Sequence, residues 1–300
     1  MNDQARRLPT LFLLLLLLVV AGCDPAEDSP VPGSTDIFVT SLLAAGSLLS
    51  VGDPVRLTDR QDYDNQPMFL PHGGSLLYTA RMGAQTDIFR YDLESNRLTH
   101  VTHTLESEYS PTPIPDSDQF SVVRVEQDDK QRLWRFSEDG EPVSPVWDWG
   151  RELTVGYHAW SGPDTLVLFI LGEPATLRIA DVATGDSWEV AESIGRSLNP
   201  IPGRRSVSFV HKVSPEEWWV AELEVENREI RRLVRTRPGA EDHAWSPSGV
   251  LLMAQETRLY AWTAGSDWLE VGDFAEHGVR RITRLAVSPQ GDRLAFVAER

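Results

Sequence analysis

Six short apolar runs recur along the chain, each just after a turn rich in Pro, Gly, Ser or Asp. They are Leu76-Leu77-Tyr78, Phe120-Ser121-Val122-Val123, Leu166-Val167-Leu168-Phe169, Val207-Ser208-Phe209-Val210, Leu251-Leu252-Met253 and Leu294-Ala295-Phe296-Val297. The turn prolines Pro71, Pro115, Pro202, Pro247 and Pro289 fall at one or two periods of about 40–45 residues. Proline presets φ, and glycine or aspartate accepts the positive φ of a tight hairpin, so each turn joins two antiparallel strands. A third strand with near-alternating apolar positions follows, as in Asp87-Ile88-Phe89-Arg90-Tyr91 and Arg258-Leu259-Tyr260-Ala261-Trp262. An outer strand then closes the unit, as in Arg97-Leu98-Thr99-His100-Val101 or Asp267-Trp268-Leu269-Glu270-Val271. Four strands in a unit of this length make one blade of a β-propeller.

The sixth unit stops after its second strand. Thr35-Asp36-Ile37-Phe38-Val39 copies the third-strand pattern of Thr86-Asp87-Ile88-Phe89-Arg90, and Pro54-Val55-Arg56-Leu57-Thr58 offers an outer strand. The expectation is an all-β, six-bladed propeller over residues 35–300. Its blades are four-stranded and antiparallel, and N-terminal strands complete the last one. Such closure removes exposed sheet edges.

These turns resemble the TolB-type propeller repeat, related to WD40-like repeats, with its Pro-x-Trp-Ser-Pro-Asp-Gly core and a following Asp-Ile-aromatic strand. Trp245-Ser246-Pro247-Ser248-Gly249 and Asp87-Ile88-Phe89 carry the likeness best. It covers about residues 35–298 and implies a fold. Such repeats occur in periplasmic binding proteins, peptidase accessory domains and some lyases, so the likeness leaves function open. The N-terminal α/β domain of TolB has no counterpart here.

The N-terminus reads as an address. Arg6 and Arg7 precede an apolar run from Leu11 to Ala21, which is short for a membrane span and suits a signal-peptide core. Val20-Ala21-Gly22-Cys23 follows, and small residues before a cysteine let a peptidase grip the extended chain. This resembles the bacterial lipobox. It implies a lipoprotein signal peptide at 1–22, an acylated Cys23, and an anchor of two or three acyl chains, which suffices where one is marginal. Residues 24–34, with three prolines and three acids, read as a flexible tether. Asp24 resembles an enterobacterial inner-membrane retention signal, so the expected address is the bacterial cell envelope, facing the periplasm, with the inner membrane weakly favoured.

Charge and composition narrow the chemistry. The net charge is −17, from 45 acidic and 28 basic residues, which argues against nucleic acid as partner. Cys23 is the one cysteine, so neither an internal disulfide nor a cysteine zinc site can form. No Gly-x-Ser-x-Gly elbow and no His-Glu-x-x-His occurs. His100 and His103 read as solvated loop histidines, since an i, i+3 pair on a strand points to opposite faces. Asp59, Asp62, Asp64 and Asn65 read as a solvated turn lacking the glycine and final glutamate of an EF-hand loop. The ten tryptophans suit packing between blades. No metal or cofactor is implied.

The remaining candidates are geometric. The innermost strand of each blade lines the central channel, so Gln66, Tyr109, Tyr157, His158, Arg196, Asp242, His243 and Arg284 are expected near one mouth. His158 and His243 hold equivalent places in a repeated His-Ala-Trp-Ser. That mixture of hydrogen-bonding, aromatic and cationic groups suits a small ligand or a peptide end. The expectation is a membrane-anchored binding or scaffold module for a protein, peptide or saccharide in the envelope. The alternative is a lyase- or lactonase-type enzyme using the channel histidines.

Overall fold

The computed structural model describes residues 33–45, 48–146 and 152–299. The expected signal peptide, Cys23 and nearly all of the expected tether lie outside these residues. Six antiparallel blades form a ring. From the innermost strand outward, blade 1 is Asp64–Phe69, Ser75–Met82, Gln85–Asp92 and Arg97–His100; blade 2 is Ser107–Pro113, Phe120–Val125, Gln131–Phe136 and Pro142–Pro145. Blade 3 is Val155–Trp160, Thr165–Ile170, Thr176–Asp181 and Ser187–Glu192; blade 4 is Ile194–Pro200, Ser206–Ser214, Glu217–Glu224 and Ile230–Arg235. Blade 5 is His243–Trp245, Leu251–Gln255, Arg258–Trp262 and Leu269–Asp273. Blade 6 begins with Ile282–Val287 and Arg293–Glu299, and Thr35–Ala45 pairs with the latter, setting Ile37 opposite Val297 and Phe38 opposite Phe296.

The core lies in the seams between blades. Second strands are covered on both faces, which is why they read as continuous apolar runs rather than alternating ones. Leu294, Ala295, Phe296 and Val297 are all fully buried. Residues on opposite faces serve different seams: Phe296 joins the blade 5–6 seam with Leu252, Leu259 and Phe274, whereas Val297 joins the blade 6–1 seam with Tyr78 and Phe89. Each such side chain contributes about 1.5–3 kcal/mol by leaving water.

The N-terminal strand repeats the chemistry of blade 1 as well as its pattern. Ile37 N donates to Thr58 Oγ1 at 2.9 Å, and Ile88 N donates to Thr102 Oγ1 at 2.8 Å. Asp36 pairs with Arg56, and the equivalent Asp87 lies 2.7 Å from His100 Nε2. The recurrence of Asp-Ile-Phe therefore reflects one hydrogen-bonded unit used twice.

The outer edge of blade 6 differs from expectation. Only Val55–Arg56 pairs with the first half of Thr35–Ala45, and Leu48–Val51 folds back as a hairpin on Leu42–Ala45. That hairpin is apolar, and Leu42, Leu49 and Val51 pack with Val271 and Phe274 of blade 5.

Two segments are also more tightly held than expected, although His103 is exposed as expected. His100 stacks on Phe89 with ring centroids 4.5 Å apart, and His103 meets it edge-on at 4.0 Å. The strand ends at His100, so the alternation that would separate the pair no longer applies. In the acidic loop Asp64 is fully buried against Arg60, Asp62 faces Arg81, and Asp59 faces Arg56. A guanidinium meets each carboxylate there. Among the described residues no group of three His, Cys, Asp or Glu side chains is placed to hold a metal ion.

Candidate functional site

The innermost strands of blades 1, 2 and 6 are each broken by a bulge. The register shifts between Asn65 and Met68, between Tyr109 and Thr112, and between Thr283 and Leu285. At each break one residue is left-handed: Gln66 at φ 56°, Ser110 at φ 54° and Arg284 at φ 54°. None is glycine, so each costs about 1–2 kcal/mol of backbone strain. A bulge re-aims a side chain, and all three residues line one cavity in the channel mouth.

That cavity of about 90 Å³ also takes in Tyr157 and His158 from blade 3, Arg196 and Asn199 from blade 4, and Asp242 at the entry to blade 5. Arg284 is its electrostatic centre. One nitrogen donates to Asp242 Oδ1 at 2.9 Å and another to the Tyr157 phenol oxygen at 2.9 Å. Burial pulls the Arg284 guanidinium down, but Tyr157 and Asp242 more than offset this and hold it above its ordinary value. Arg196 Nε lies 2.9 Å from Glu241 Oε1, and its Nη2 lies 4.0 Å from Asp242 Oδ2. Lys212 reaches the other oxygen of Glu241 at 2.9 Å. Gln66 Oε1 accepts from Thr79 Oγ1 and from Ser110 N, both at 2.9 Å, and so ties blade 1 to blade 2.

The two histidines of His-Ala-Trp-Ser form matching clasps between blades. Trp245 Nε1 donates to Ser208 Oγ of blade 4 at 2.8 Å, and His243 Nε2 lies 2.9 Å from the same oxygen. Trp160 Nε1 and His158 Nε2 meet Ser121 Oγ of blade 2 at 2.9 and 2.7 Å. Burial lowers both imidazoles, His158 to about 3 and His243 to about 4, so both are neutral near pH 7. His243 Nδ1 faces the Glu241 carbonyl at 3.2 Å. A carbonyl only accepts, so this nitrogen bears the proton and Ser208 donates to Nε2.

Six of the eight expected residues thus line one cavity: Gln66, Tyr157, His158, Arg196, Asp242 and Arg284. Tyr109 and His243 do not. Tyr109 packs on the apolar seam of blades 2 and 3, and His243 is enclosed in its clasp. Ser110, Ser197 and Asn199 line the cavity without being expected. Ser110 is separated from its expected neighbour Tyr109 by one place, because the bulge shifts which residue faces the channel.

No protein-family model and no curated protein matches the sequence. Solved structures do match. A TolB-like protein of Agrobacterium tumefaciens aligns over 89% of this chain and 99% of its own, with TM-score 0.67 and 13% identity. The chain shares the TolB propeller fold. TolB from Acinetobacter baumannii aligns over 90% of this chain and 66% of its own, with TM-score 0.54 and 13% identity. An oligogalacturonate lyase from Vibrio parahaemolyticus aligns over 89% and 98%, with TM-score 0.52 and 11% identity. The propeller fold is therefore shared by proteins of different names, and the likeness shows the fold alone.

Proposed function

We propose that this chain is a lipid-anchored β-propeller lipoprotein of the bacterial cell envelope. It serves there as a binding or scaffold module, holding a protein, peptide or saccharide at the channel mouth. The observation that carries the reading is the convergence of side chains from all six blades on one small cavity. A cavity of about 90 Å³ admits one end of a ligand, while the rest would lie across the loops of that face. The leader and Cys23 support the envelope address, with Asp24 favouring the inner membrane. Residues 1–22 would be removed, and 23–34 would tether the propeller at 35–300. The lyase or lactonase alternative needs channel histidines as proton carriers. His243 is enclosed, and burial lowers His158 to about 3, which makes it a weak base at neutral pH, so the binding reading is favoured.

The test is photocrosslinking in native membranes. A crosslinker placed at Gln66 is expected to yield a discrete adduct, and one placed at the outward-facing Leu98 is expected to yield none. Absence of any adduct at position 66, with the protein folded and anchored, rejects the reading.

A further inference from the structure

The chain enters the propeller at the rim of the channel mouth. Innermost strands begin at the mouth, so in antiparallel blades second strands end there and third strands begin there. Thr35 opens the third strand of blade 6 and therefore stands on that face. Its N–H donates to Asp62 O at 3.1 Å, and its hydroxyl donates to Asp64 O at 2.9 Å. Asn65 Nδ2 donates to Thr35 Oγ1 at 3.3 Å, and the next residue is Gln66 of the cavity.

Chain length turns this entry point into a bound. Cys23 precedes Thr35 by twelve residues, so an acylated Cys23 lies within about 40 Å of it. The strand Thr35–Ala45 itself runs about 33 Å toward the opposite face. A membrane on the opposite face requires a nearly extended path over the blade edge, at a cost in chain entropy. A membrane on the mouth face requires none.

Exposed apolar side chains favour the same face. Met82, Leu105, Leu171 and Val213 are exposed, Leu105 at 87%, and all four stand at mouth-side strand ends or connections. The other exposed large apolar residues, Leu43, Val55, Leu98, Val143 and Leu269, lie on outer strands or in the blade 6 hairpin. Gln85 Nε2 donates to Thr104 O at 3.1 Å, which ties the Met82 turn to the Leu105 loop. Val213 shares a groove with Pro174, Pro215 and Trp218, and Lys212 stacks over the Trp218 ring at 4.4 Å. Apolar tips beside a tryptophan and a lysine suit the interface of a bilayer. Glu126 to Asp129 of blade 2 also stand on this face, and Arg132 holds Glu126 and Asp128. These carboxylates disfavour a strongly anionic surface and suit the ammonium of a zwitterionic headgroup.

We infer that the face around the channel mouth docks on a zwitterionic lipid surface through these apolar tips. The mouth then opens toward the bilayer. This inference rests on the lipid anchor proposed above.

Spin labelling of the acylated protein tests this, in vesicles of phosphatidylethanolamine with a minority of phosphatidylglycerol. Acylation leaves Cys23 without a thiol, so one introduced cysteine takes the nitroxide. Labels at Leu105→Cys and Val213→Cys are expected to lose collisions with a water-soluble nickel chelate and to gain them with oxygen. Labels at Ser117→Cys and Ser248→Cys, on exposed turns of the opposite face, are expected to keep their nickel collisions. Raising the share of phosphatidylglycerol is expected to restore nickel collisions at 105 and 213. Water exposure at either mouth-side label, lipid contact at 117 or 248, or contact that strengthens with phosphatidylglycerol overturns the inference. Any of these results in protein that still carries labelled fatty acid and stays with the vesicles leaves the anchor reading intact. Protein that takes up no fatty acid at Cys23 rejects the anchor, and the inference falls with it.

Discussion

Arg284 on blade 6 donates to the phenol oxygen of Tyr157 on blade 3 at 2.9 Å, a contact between residues 127 apart in sequence. Blades 3 and 6 stand opposite each other in a six-membered ring, so this bond crosses the channel. The same guanidinium holds the buried Asp242 of the neighbouring blade. One side chain therefore braces three blades and charges the cavity at once.

Arg284→Met should show the cost of breaking this brace. It leaves the Asp242 carboxylate in a buried place with its closest cation gone. The expected loss is about 3 kcal/mol in urea unfolding. Adding Asp242→Leu should restore part of it, because the uncompensated charge goes too. Equal stability of Arg284→Met and the parent would show that the brace carries no load.

The histidine clasps predict two matched losses. Ser121→Ala removes the shared partner of His158 and Trp160, and Ser208→Ala does the same for His243 and Trp245. Each strands buried polar groups, so each should cost about 2 kcal/mol. The two sites share no partner, so the double variant should lose the sum within about 0.5 kcal/mol. Chemical denaturation of the three variants measures this.

Stability should depend on pH through three buried groups of opposite sense. Burial pushes Glu108 up to about 7 from 4.5, with its contacts to Thr102 and Thr104 opposing this. The folded state then holds a proton that the unfolded chain releases, so this contribution is full below about pH 4.5 and is lost as pH rises through 7. It is worth on the order of 3 kcal/mol. His158 and His243 are lowered from 6.5, so the unfolded chain takes up their protons first and stability is lost as pH falls below 6.5. Two histidines outweigh one glutamate, and the parent protein should lose stability below about pH 6. Glu108→Gln removes the opposing group. It should therefore lose stability more steeply between pH 6.5 and 4.5, as read by urea midpoints across that range.

These effects also show what the sequence makes legible. The blades announce themselves, because second strands buried on both faces must be apolar throughout and their turns need proline, glycine or aspartate. The closing strand is readable too, since Asp36 repeats the position of Asp87 in the same hydrogen-bonded unit. The site is harder. Left-handed bulges usually advertise themselves by Gly, Asn or Asp, and here they fall on Gln66, Ser110 and Arg284. Nothing in the residue types signals the one-place shift that brings Ser110 rather than Tyr109 to the cavity. His158 and His243 look equivalent in sequence and share a clasp, yet of the two only His158 lines the cavity.

The anchor is tested apart from the propeller. Cys23→Ala should abolish incorporation of labelled fatty acid and release the protein from membranes. Labelling that persists in the variant rejects acylation at Cys23.

Closure of the ring makes the last prediction. Residues 36–40 form the central part of the strand that pairs with Arg293–Glu299, and Phe38 stacks on Phe296 with centroids 5.4 Å apart. Phe296 in turn stacks on Phe274 at 5.1 Å, so Phe38 is the near end of an aromatic row into blade 5. Phe38→Ala opens a cavity at this row and should cost about 3–4 kcal/mol. Deleting 36–40 removes the row's end, the Asp36–Arg56 pair and the ladder to the C-terminal strand together, and exposes an apolar edge on blade 6. The deleted protein is expected to lose its cooperative melt and to self-associate, as seen by calorimetry and size-exclusion chromatography. A deletion variant that melts like the parent would mean that residues 282–299 are held in the ring by the other seams alone.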